Sequence, residues 1–449
     1  GNKVCGNYIG TNAAGTADLG NSGLGILLNS GASNNIIGGP TTAARNLISG
    51  NDAYGVGIGN AAHHNTVQNN YIGTDVNGLL NLGNTFTGVI ISDATNNFIG
   101  GVGAGNLISG NENGVVVLGV AATGNQVQGN FIGTNAAGSA AIPNGHGVEI
   151  KGGASSNMLG GTANGAGNLI SGNAGDFAVG IFENGTTGNQ VCGNLIGTNA
   201  TGNAALGNAT HGIRVDTGAT NTIIGGTTPG ARNVIAASGQ LGIWILGSTN
   251  TQVLGNYIGT DITGTVDLGN ALEGIAITDS PNNVIGGTAA GAGNLISGNN
   301  SNGIRVGGNA ATGNQILGNF IGTNAAGTVA LGNSGNGIYV QDASNNQIGG
   351  AAAGATNLIA FNGGAGILLT GASTAFPLLT NRLFGNGGLG IDLNGDGVTA
   401  NDSGDADTGP NNLQNFPVLN TIVAAGTVSG SFDSTVAKNG HSFAIALSS

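Results

Sequence analysis

The chain has few charged residues, few aromatic residues and very little proline. Of its 449 residues, 6% are charged and 4% are aromatic, with 7 prolines, 2 cysteines and a single tryptophan. The scarcity of proline beside 92 glycines, without a three-residue period, excludes a collagen-like helix. A hydrophobic fraction of 39% excludes an intrinsically disordered chain. No uninterrupted apolar run approaches the roughly 18 residues of a membrane-spanning helix, so we expect no membrane insertion.

Positive charge is especially scarce. The chain has 8 Lys and Arg residues against 20 Asp and Glu residues, for a formal net charge of −12. Proteins that bind nucleic acids carry basic patches, so this balance argues against a nucleic-acid partner and against an anionic membrane surface. The composition favours a protein that is extracellular or attached to the cell surface.

Two short segments recur along almost the whole chain. The segment Asn-Φ-Ile-Gly-Thr, where Φ is apolar, returns every 60 to 64 residues, and a sister segment of the type Asn-Leu-Ile-Ser lies between successive copies. The first asparagines of the main series are Asn7, Asn70, Asn130, Asn194, Asn256 and Asn319. Each long unit therefore contains two coils, and each coil contributes one asparagine of this kind.

Every coil contains three short apolar stretches separated by Gly or Asn. Apolar residues alternate with others over three to five positions, which is the period of a strand and not of a helix. Three short strands per coil predict an all-β, single-stranded parallel β-helix of about thirteen coils, a rod roughly 60 Å long. The crossover rule for parallel strands predicts a right-handed helix. We expect Asn to stack at the corners, where its amide bonds to the next coil and its backbone tolerates left-handed geometry.

Alternate coils carry an insertion after the third strand, as at residues 11–21 and 323–333. These insertions predict a row of loops along one edge of the rod. Such a row either forms a binding face or only covers apolar surface, and its uniform Ala, Gly and Thr content favours the second interpretation.

Motifs such as Asn-Asn-x-Ile-Gly-Gly, Gly-Asn-Leu-Ile-Ser-Gly-Asn and Gly-Asn-x-Ile-Gly-Thr-Asn resemble the repeats of bacterial secreted right-handed β-helix proteins, as far as about Leu419. The resemblance implies the pectate-lyase-like architecture. That architecture includes polysaccharide lyases, hydrolases, epimerases and phage tailspikes, and also non-catalytic adhesins and surface-layer proteins. Function must therefore be argued from a site.

The composition divides the chain into three parts. Residues 1–393 are predicted to form the β-helix, residues 394–419 an acidic cap or linker, and residues 420–449 either the start of a truncated β-sandwich-like module or capping strands. The sequence opens inside a repeat, without an initiator methionine or signal peptide, so we expect it to be part of a longer secreted chain. Cys5 and Cys192 occupy equivalent positions six coils apart, about 29 Å, too far for a disulfide.

An acidic segment follows the last coil. Its carboxylates and one amide are spaced as in calcium-binding loops, where oxygen ligands alternate and Gly permits the turn. The candidate ligands of a structural Ca²⁺ are Asp392, Asn394, Asp396, Asp402, Asp405 and Asp407. The EF-hand pattern is incomplete, because Ser403 stands where a bidentate Glu belongs, and a solvated acidic linker is the alternative.

A second candidate site follows the outward side of the Gly-Φ-x-Φ strands. Rare charges and the only Trp gather there, a pattern typical of a sugar-binding strip. The candidate substrate-binding residues are Trp244, Tyr339, Arg305, His146 and His211. If the chain is an enzyme, the candidate catalytic residues are Glu149, Asp216, Arg214 and Lys151. The alternative is that these charges form cross-coil ion pairs on a solvent face.

Three functions remain open from the sequence. The first is a non-catalytic rigid stalk, adhesin or assembly module, with weak binding of a polysaccharide or cell-surface glycan. The second is a polysaccharide lyase or glycoside hydrolase, which needs a base and a cation, or two carboxyl groups about 5–9 Å apart. The third is self-association end to end into fibres.

Overall fold

A computed structural model describes residues 1–423 and 427–431 of the chain. These residues form 41 strands and three short 3-10 helices, η1 (Thr42–Ala44), η2 (Pro229–Ala231) and η3 (Pro410–Leu413), and contain no α-helix. The expectation for residues 420–449 falls largely outside the described residues. Its described part is an antiparallel pair of strands, β40 (Val418–Val423) and β41 (Thr427–Ser431).

The other 39 strands form three parallel sheets of thirteen strands each. Sheet 1 contains β1 (Lys3–Val4), β4 (Ile36–Gly38), β7 (Thr66–Gln68), β10 (Phe98–Gly100), β13 (Gln126–Gln128), β16 (Met158–Gly160), β19 (Gln190–Cys192), β22 (Ile223–Gly225), β25 (Gln252–Leu254), β28 (Val284–Gly286), β31 (Gln315–Leu317), β34 (Gln347–Gly349) and β37 (Leu378–Leu379). Sheet 2 contains β2 (Tyr8–Ile9), β5 (Leu47–Ile48), β8 (Tyr71–Ile72), β11 (Leu107–Ile108), β14 (Phe131–Ile132), β17 (Leu169–Ile170), β20 (Leu195–Ile196), β23 (Val234–Ile235), β26 (Tyr257–Ile258), β29 (Leu295–Ile296), β32 (Phe320–Ile321), β35 (Leu358–Ala360) and β38 (Arg382–Phe384). Sheet 3 contains β3 (Ile26–Leu28), β6 (Val56–Gly59), β9 (Thr87–Ser92), β12 (Asn113–Leu118), β15 (His146–Lys151), β18 (Phe177–Phe182), β21 (His211–Asp216), β24 (Ile243–Leu246), β27 (Ile275–Thr278), β30 (Ile304–Gly307), β33 (Ile338–Gln341), β36 (Ile367–Thr370) and β39 (Ile391–Leu393).

Each strand pairs with the strand three positions further along the chain, so every coil adds one strand to each sheet. This order is a right-handed parallel β-helix of thirteen coils, as the sequence predicts. Twelve steps of strand spacing give a rod about 58 Å long. Cys5 and Cys192 are both free, and six steps of sheet 1 separate their strands.

The core is a stack of Ile and Val ladders. Side chains such as Ile72, Ile108 and Ile132, which follow one another in sheet 2, are fully buried. Because side chains alternate across a strand, the intervening residues point outward. The core therefore fixes which residues of each strand face solvent.

Asparagine ladders run along all three corners. The ladder between sheets 1 and 2 has one Asn per coil without interruption, from Asn7 to Asn381. In it, Asn130 Oδ1 accepts hydrogen bonds from the backbone N–H and the side-chain amide of Asn106, and Asn130 Nδ2 donates to Asn168 Oδ1 at 2.9 Å. The predicted Asn stacking is confirmed.

The left-handed backbone geometry does not belong to the stacked asparagines, and this part of the expectation is wrong. Positive φ falls on the residue before them, as at Asn34, Asn69 and Asn96. The stacked residues that follow them, Asn35, Asn70 and Asn97, are buried and have no positive φ.

The insertions form a row of interlocked loops over sheet 2. In the loop of residues 134–144, Gly138 packs beside Phe131 and Leu169, and its carbonyl accepts a hydrogen bond from Ala200 in the next loop at 2.9 Å. The same contact joins Gly78 to Ala136. The loops cover outward apolar side chains, in agreement with the second interpretation of their sequence.

Candidate functional site

Five consecutive strands of sheet 3 are longer than the rest. β9, β12, β15, β18 and β21 each have six residues, whereas the other strands of this sheet have three or four. The sheet is therefore widest over coils three to seven. Seven of the nine predicted binding and catalytic residues lie on or directly beside this part.

The predicted outward row is aligned in register along sheet 3. Glu149 pairs with Gly180, Gly180 with Arg214, and Arg214 with Trp244. The row continues through Ala276, Arg305 and Tyr339. Lys151 and Asp216 lie in the adjacent outward row. The sequence thus identified the correct face and order of these side chains.

The charges on this face pair along single strands. Lys151 Nζ lies 3.0 Å from Glu149 Oε1 on β15. On β21, Arg214 donates to Asp216 Oδ2 from Nε at 3.0 Å and also from Nη2. The expected cross-coil ion pairs are wrong for these residues, because side chains two positions apart on a strand share one face and meet first.

Arg214 lies between two aromatic rings. Its guanidinium carbon is 4.8 Å from the ring centroid of Trp244 in the next coil and 5.7 Å from that of Phe182 in the preceding coil. Trp244 is half-buried, and its indole N–H donates to Thr278 Oγ1 at 3.3 Å. We call these two rings, with the cation between them, the platform.

Phe177 and Phe182 belong to this cluster, and the sequence reasoning missed both. Their rings lie 4.9 Å apart in an edge-to-face arrangement above Gly180, where a Cβ would stand 2.3 Å from the Phe182 ring. β18 has Ala178 where its neighbours β15 and β21 have glycine, so the Gly-Φ-x-Φ pattern did not place this coil in the row. Aligning the strands by their inward residues would have found it.

The two predicted histidines lie at the edge of the platform. His146 stacks on Phe177 with ring centroids 4.4 Å apart, and its Nδ1 is 3.2 Å from Asn113 Oδ1. His211 is 5% exposed, 5.0 Å from Trp244 between ring centroids, and its Nδ1 accepts the Leu241 N–H. Burial, then the charge of Arg214, lowers the pKa of His211 to about 4 against the opposing effect of Asp176.

Arg305 and Tyr339 lie further along the same row. Arg305 Nη2 donates to Gln341 Oε1 at 3.3 Å, and the Tyr339 hydroxyl accepts from Thr370 Oγ1 at 3.3 Å. Among the described residues, Arg305 has no carboxylate within ion-pair distance. These side chains extend the polar and aromatic surface toward the last coils.

The candidate catalytic carboxylates are not close to each other. Glu149 and Asp216 stand two coils apart, about 10 Å along the axis, with β18 between them. Each is already paired with the cation of its own strand, and the Asp216 side chain is only 7% exposed. Glu149 and Asp216 therefore do not form a carboxylate pair that faces a common bond.

The six predicted calcium ligands fall into two groups. In the first, the Asn394 amide donates to Asp396 and the Gly395 N–H donates to Asp392. In the second, carboxylate oxygens of Asp402, Asp405 and Asp407 lie within 4.8 Å of one another.

The second group has the chemistry that a hard cation needs. All its ligand atoms are oxygen, and Asp407 Oδ1 is buried without a hydrogen-bond partner. Burial, together with the charges of Asp402 and Asp405, raises the pKa of Asp407. The donor set therefore fits Ca²⁺.

This acidic segment lies against the open end of the core. Residues Ile391, Leu393, Val398 and Phe416 line a cavity of about 490 Å³ between the last coil and the segment. The segment thus stands where the last coil would otherwise present its core to solvent.

No helix in the described part of the chain is long and apolar enough to span a membrane. No protein-family model and no curated protein matches the chain. Several solved structures are similar at low sequence identity. A mutant of the periplasmic alginate epimerase AlgG is 13% identical, with 81% of this chain and 78% of that chain covered and a TM-score of 0.46.

The surface adhesin PfbA of Streptococcus pneumoniae is 12% identical, with 92% and 93% covered and a TM-score of 0.37. The Dettilon tailspike protein is 16% identical, with 71% and 61% covered and a TM-score of 0.38. Independently of these similarities, the chain is a right-handed parallel β-helix of thirteen coils with three strands in each coil.

Proposed function

We propose that the chain is a non-catalytic extracellular or cell-surface β-helix module that binds glycans on sheet 3. The observation that carries this proposal is the placement of Arg214 between Phe182 and Trp244 on the widest part of the sheet. The β-helix beneath serves as a rigid stalk that presents this platform.

The platform has the chemistry that sugars require. Aromatic rings accept the apolar faces of sugar rings, and a guanidinium bonds to hydroxyl or carboxylate oxygens. His146 and Arg305 supply further polar groups along the same sheet. Because the rings are held by packing and by the Thr278 hydrogen bond, little side-chain freedom is lost when a ligand binds.

The same geometry favours binding over catalysis. A general base must be free to accept a proton, whereas Glu149 and Asp216 each accept hydrogen bonds from a cation. Strand β18, which carries Phe177 and Phe182, lies between the strands of these two carboxylates. A lyase or hydrolase would need at least one of these two carboxylates to be free of its ion pair.

The test is a panel of neutral and uronate-containing polysaccharides scored for both binding and product release. Binding is read from the fluorescence of Trp244, the only tryptophan. We expect Arg214→Gln to weaken binding at least tenfold, while Phe98→Ala, which removes an exposed ring from sheet 1, leaves it unchanged. Product release that Glu149→Gln or Asp216→Asn abolishes would overturn the non-catalytic function.

We further propose that Ca²⁺ binds at Asp402, Asp405 and Asp407 and holds the acidic segment against the last coil. Three carboxylates within 4.8 Å repel one another unless a cation balances them. EDTA should lower the melting temperature, and added Ca²⁺ should restore it. The variant Asp407→Asn should lose this response, whereas Asp18→Asn, in a loop of the first coil, should keep it. An unchanged melting temperature on EDTA addition would refute a structural ion.

A further inference from the structure

His211 is a buried titratable group that packs against Trp244 of the glycan platform. Its backbone N–H donates to the Asp176 carbonyl in the preceding coil, and its Nδ1 accepts the Leu241 N–H in the following coil at 3.4 Å. The ring lies 5.0 Å from Trp244. His211 therefore connects three successive coils at the point where Trp244 and Arg214 pack.

The ionisable groups around His211 come from two elements. Arg214 and Asp216 share its strand, and Asp176 lies in the preceding coil. The residues that face it from the following coil, Leu241 and Trp244, carry no charge. His146 and the Lys151–Glu149 pair are two coils away, beyond β18.

Protonation is incompatible with this arrangement. A neutral imidazole has one acceptor nitrogen, whereas an imidazolium has none. A protonated His211 would direct an N–H at the Leu241 N–H and place a second positive charge beside the Arg214 guanidinium. The ring would have to turn away. Trp244, which packs on His211, and Arg214, which packs on Trp244, would then lose their support.

We propose that His211 is a positioning residue that makes the platform acid-sensitive: its protonation releases Trp244 and Arg214 from their packed arrangement. The consequence for ligand binding rests on the proposed glycan-binding function, but the rearrangement itself does not. A surface built in this way holds its ligand near neutral pH and releases it in strong acid.

The pKa of His211 sets the pH at which Trp244 and Arg214 are released. It lies at about 4 in the folded chain, below the value of about 6.5 expected for an unfolded histidine. The neutral ring therefore contributes stability that is complete above about pH 6.5 and is lost as the pH falls through about 4.

The experiment follows Trp244 fluorescence and its quenching by acrylamide from pH 7.5 to 3, in the full chain and without any glycan. We expect one reversible transition with a midpoint near pH 4, in which quenching increases while the far-UV circular dichroism stays constant. The variant His211→Gln, whose amide oxygen can still accept the Leu241 N–H, should lack the transition. The matched variant His146→Gln should retain it.

A second variant keeps the test decisive if His211→Gln does not fold. Arg214→Gln removes the neighbouring positive charge, so the midpoint should move to higher pH. A transition that persists in His211→Gln, or one that does not move in Arg214→Gln, would overturn the proposal. Loss of glycan binding at every pH with the transition intact would contradict only the proposed function.

Discussion

At the scale of single residues, the asparagine side chain does most to define this fold. Its amide donates and accepts in the same plane, so one buried side chain can join the coil before it to the coil after it. The ladder between sheets 1 and 2 uses this capacity in every coil, whereas the other two are interrupted by Ser238, Thr222 and Thr251. The hydroxyls of these three residues are buried without hydrogen-bond partners. The interruptions therefore mark local weak points, beside the coils that carry Arg214 and Trp244.

Replacing Thr222 with Asn should repair one interruption. We expect Thr222→Asn to stabilise the chain by about 1 kcal/mol, because the new amide can bond to Asn189 and no hydroxyl remains unpaired. Thermal or denaturant unfolding measures the change. Thr222→Val, which removes the hydroxyl without adding an amide, is the control and should stabilise less. A lower stability of Thr222→Asn than of the parent would contradict this account of the ladder.

At the scale of elements, the loops act as a second layer of coil-to-coil bonds. Each one lies across sheet 2 and bonds to the loop two coils away, so the side chains it covers are clamped from outside. Gly138 makes this possible in two ways: its φ is +62°, and a Cβ there would stand 2.6 Å from Ala200. Conformation and close approach thus both require glycine.

Two alanine substitutions separate these requirements. Gly247 also has a positive φ, of +56°, but a Cβ there would meet nothing within 4 Å. We expect Gly247→Ala to cost about 1 kcal/mol for the backbone conformation alone. Gly138→Ala should cost about 1–3 kcal/mol more, because the loop must also move away from Ala200 and Leu169. Equal losses of unfolding free energy in the two variants would show that the loop is not tightly packed.

The elements also show which structural features can be predicted from the sequence and which cannot. Coil number, strand order and the outward row from Glu149 to Tyr339 follow from repeat spacing and strand alternation alone. The pairing of Arg214 with Asp216 did not follow, because a repeat pattern gives the face of a side chain but not its rotamer. Phe182 was missed for a related reason: its position matters only through the space that Gly180 leaves, and such space is a property of packing.

At the scale of the whole molecule, stability should vary along the rod. In the three sheets each coil pairs only with the coils before and after it, so the last coil has one neighbouring coil where an inner coil has two. Ile132 in the middle is fully buried, while Leu383 in the last coil is only partly buried. Opening should therefore be easier at the last coil than in the middle of the rod.

Hydrogen exchange can measure this gradient with two equivalent amides. The Phe131 N–H donates to the Asn106 carbonyl and the Arg382 N–H donates to the Asn357 carbonyl, both at 2.9 Å. Each acceptor belongs to the ladder asparagine of the preceding coil. We expect Phe131 to exchange at least a hundredfold more slowly, since its opening requires inner coils to separate. Equal protection of the two amides would indicate that the rod opens as a single cooperative unit.

The interlocked loops also determine by how many coils the length of the rod can change. Each loop bonds to the loop two coils away, and the coil between them has no loop. Duplication or deletion of one long unit of 60 to 64 residues would therefore change the length of the rod by about 10 Å. The asparagine ladders and the bonds between loops would be preserved. A gain or loss of one coil would instead bring two loops onto adjacent rungs, about 5 Å apart, where they collide. Related chains should therefore differ in length by even numbers of coils. The distance at which the rod presents the platform could then change while the ladders and the loop bonds stay the same.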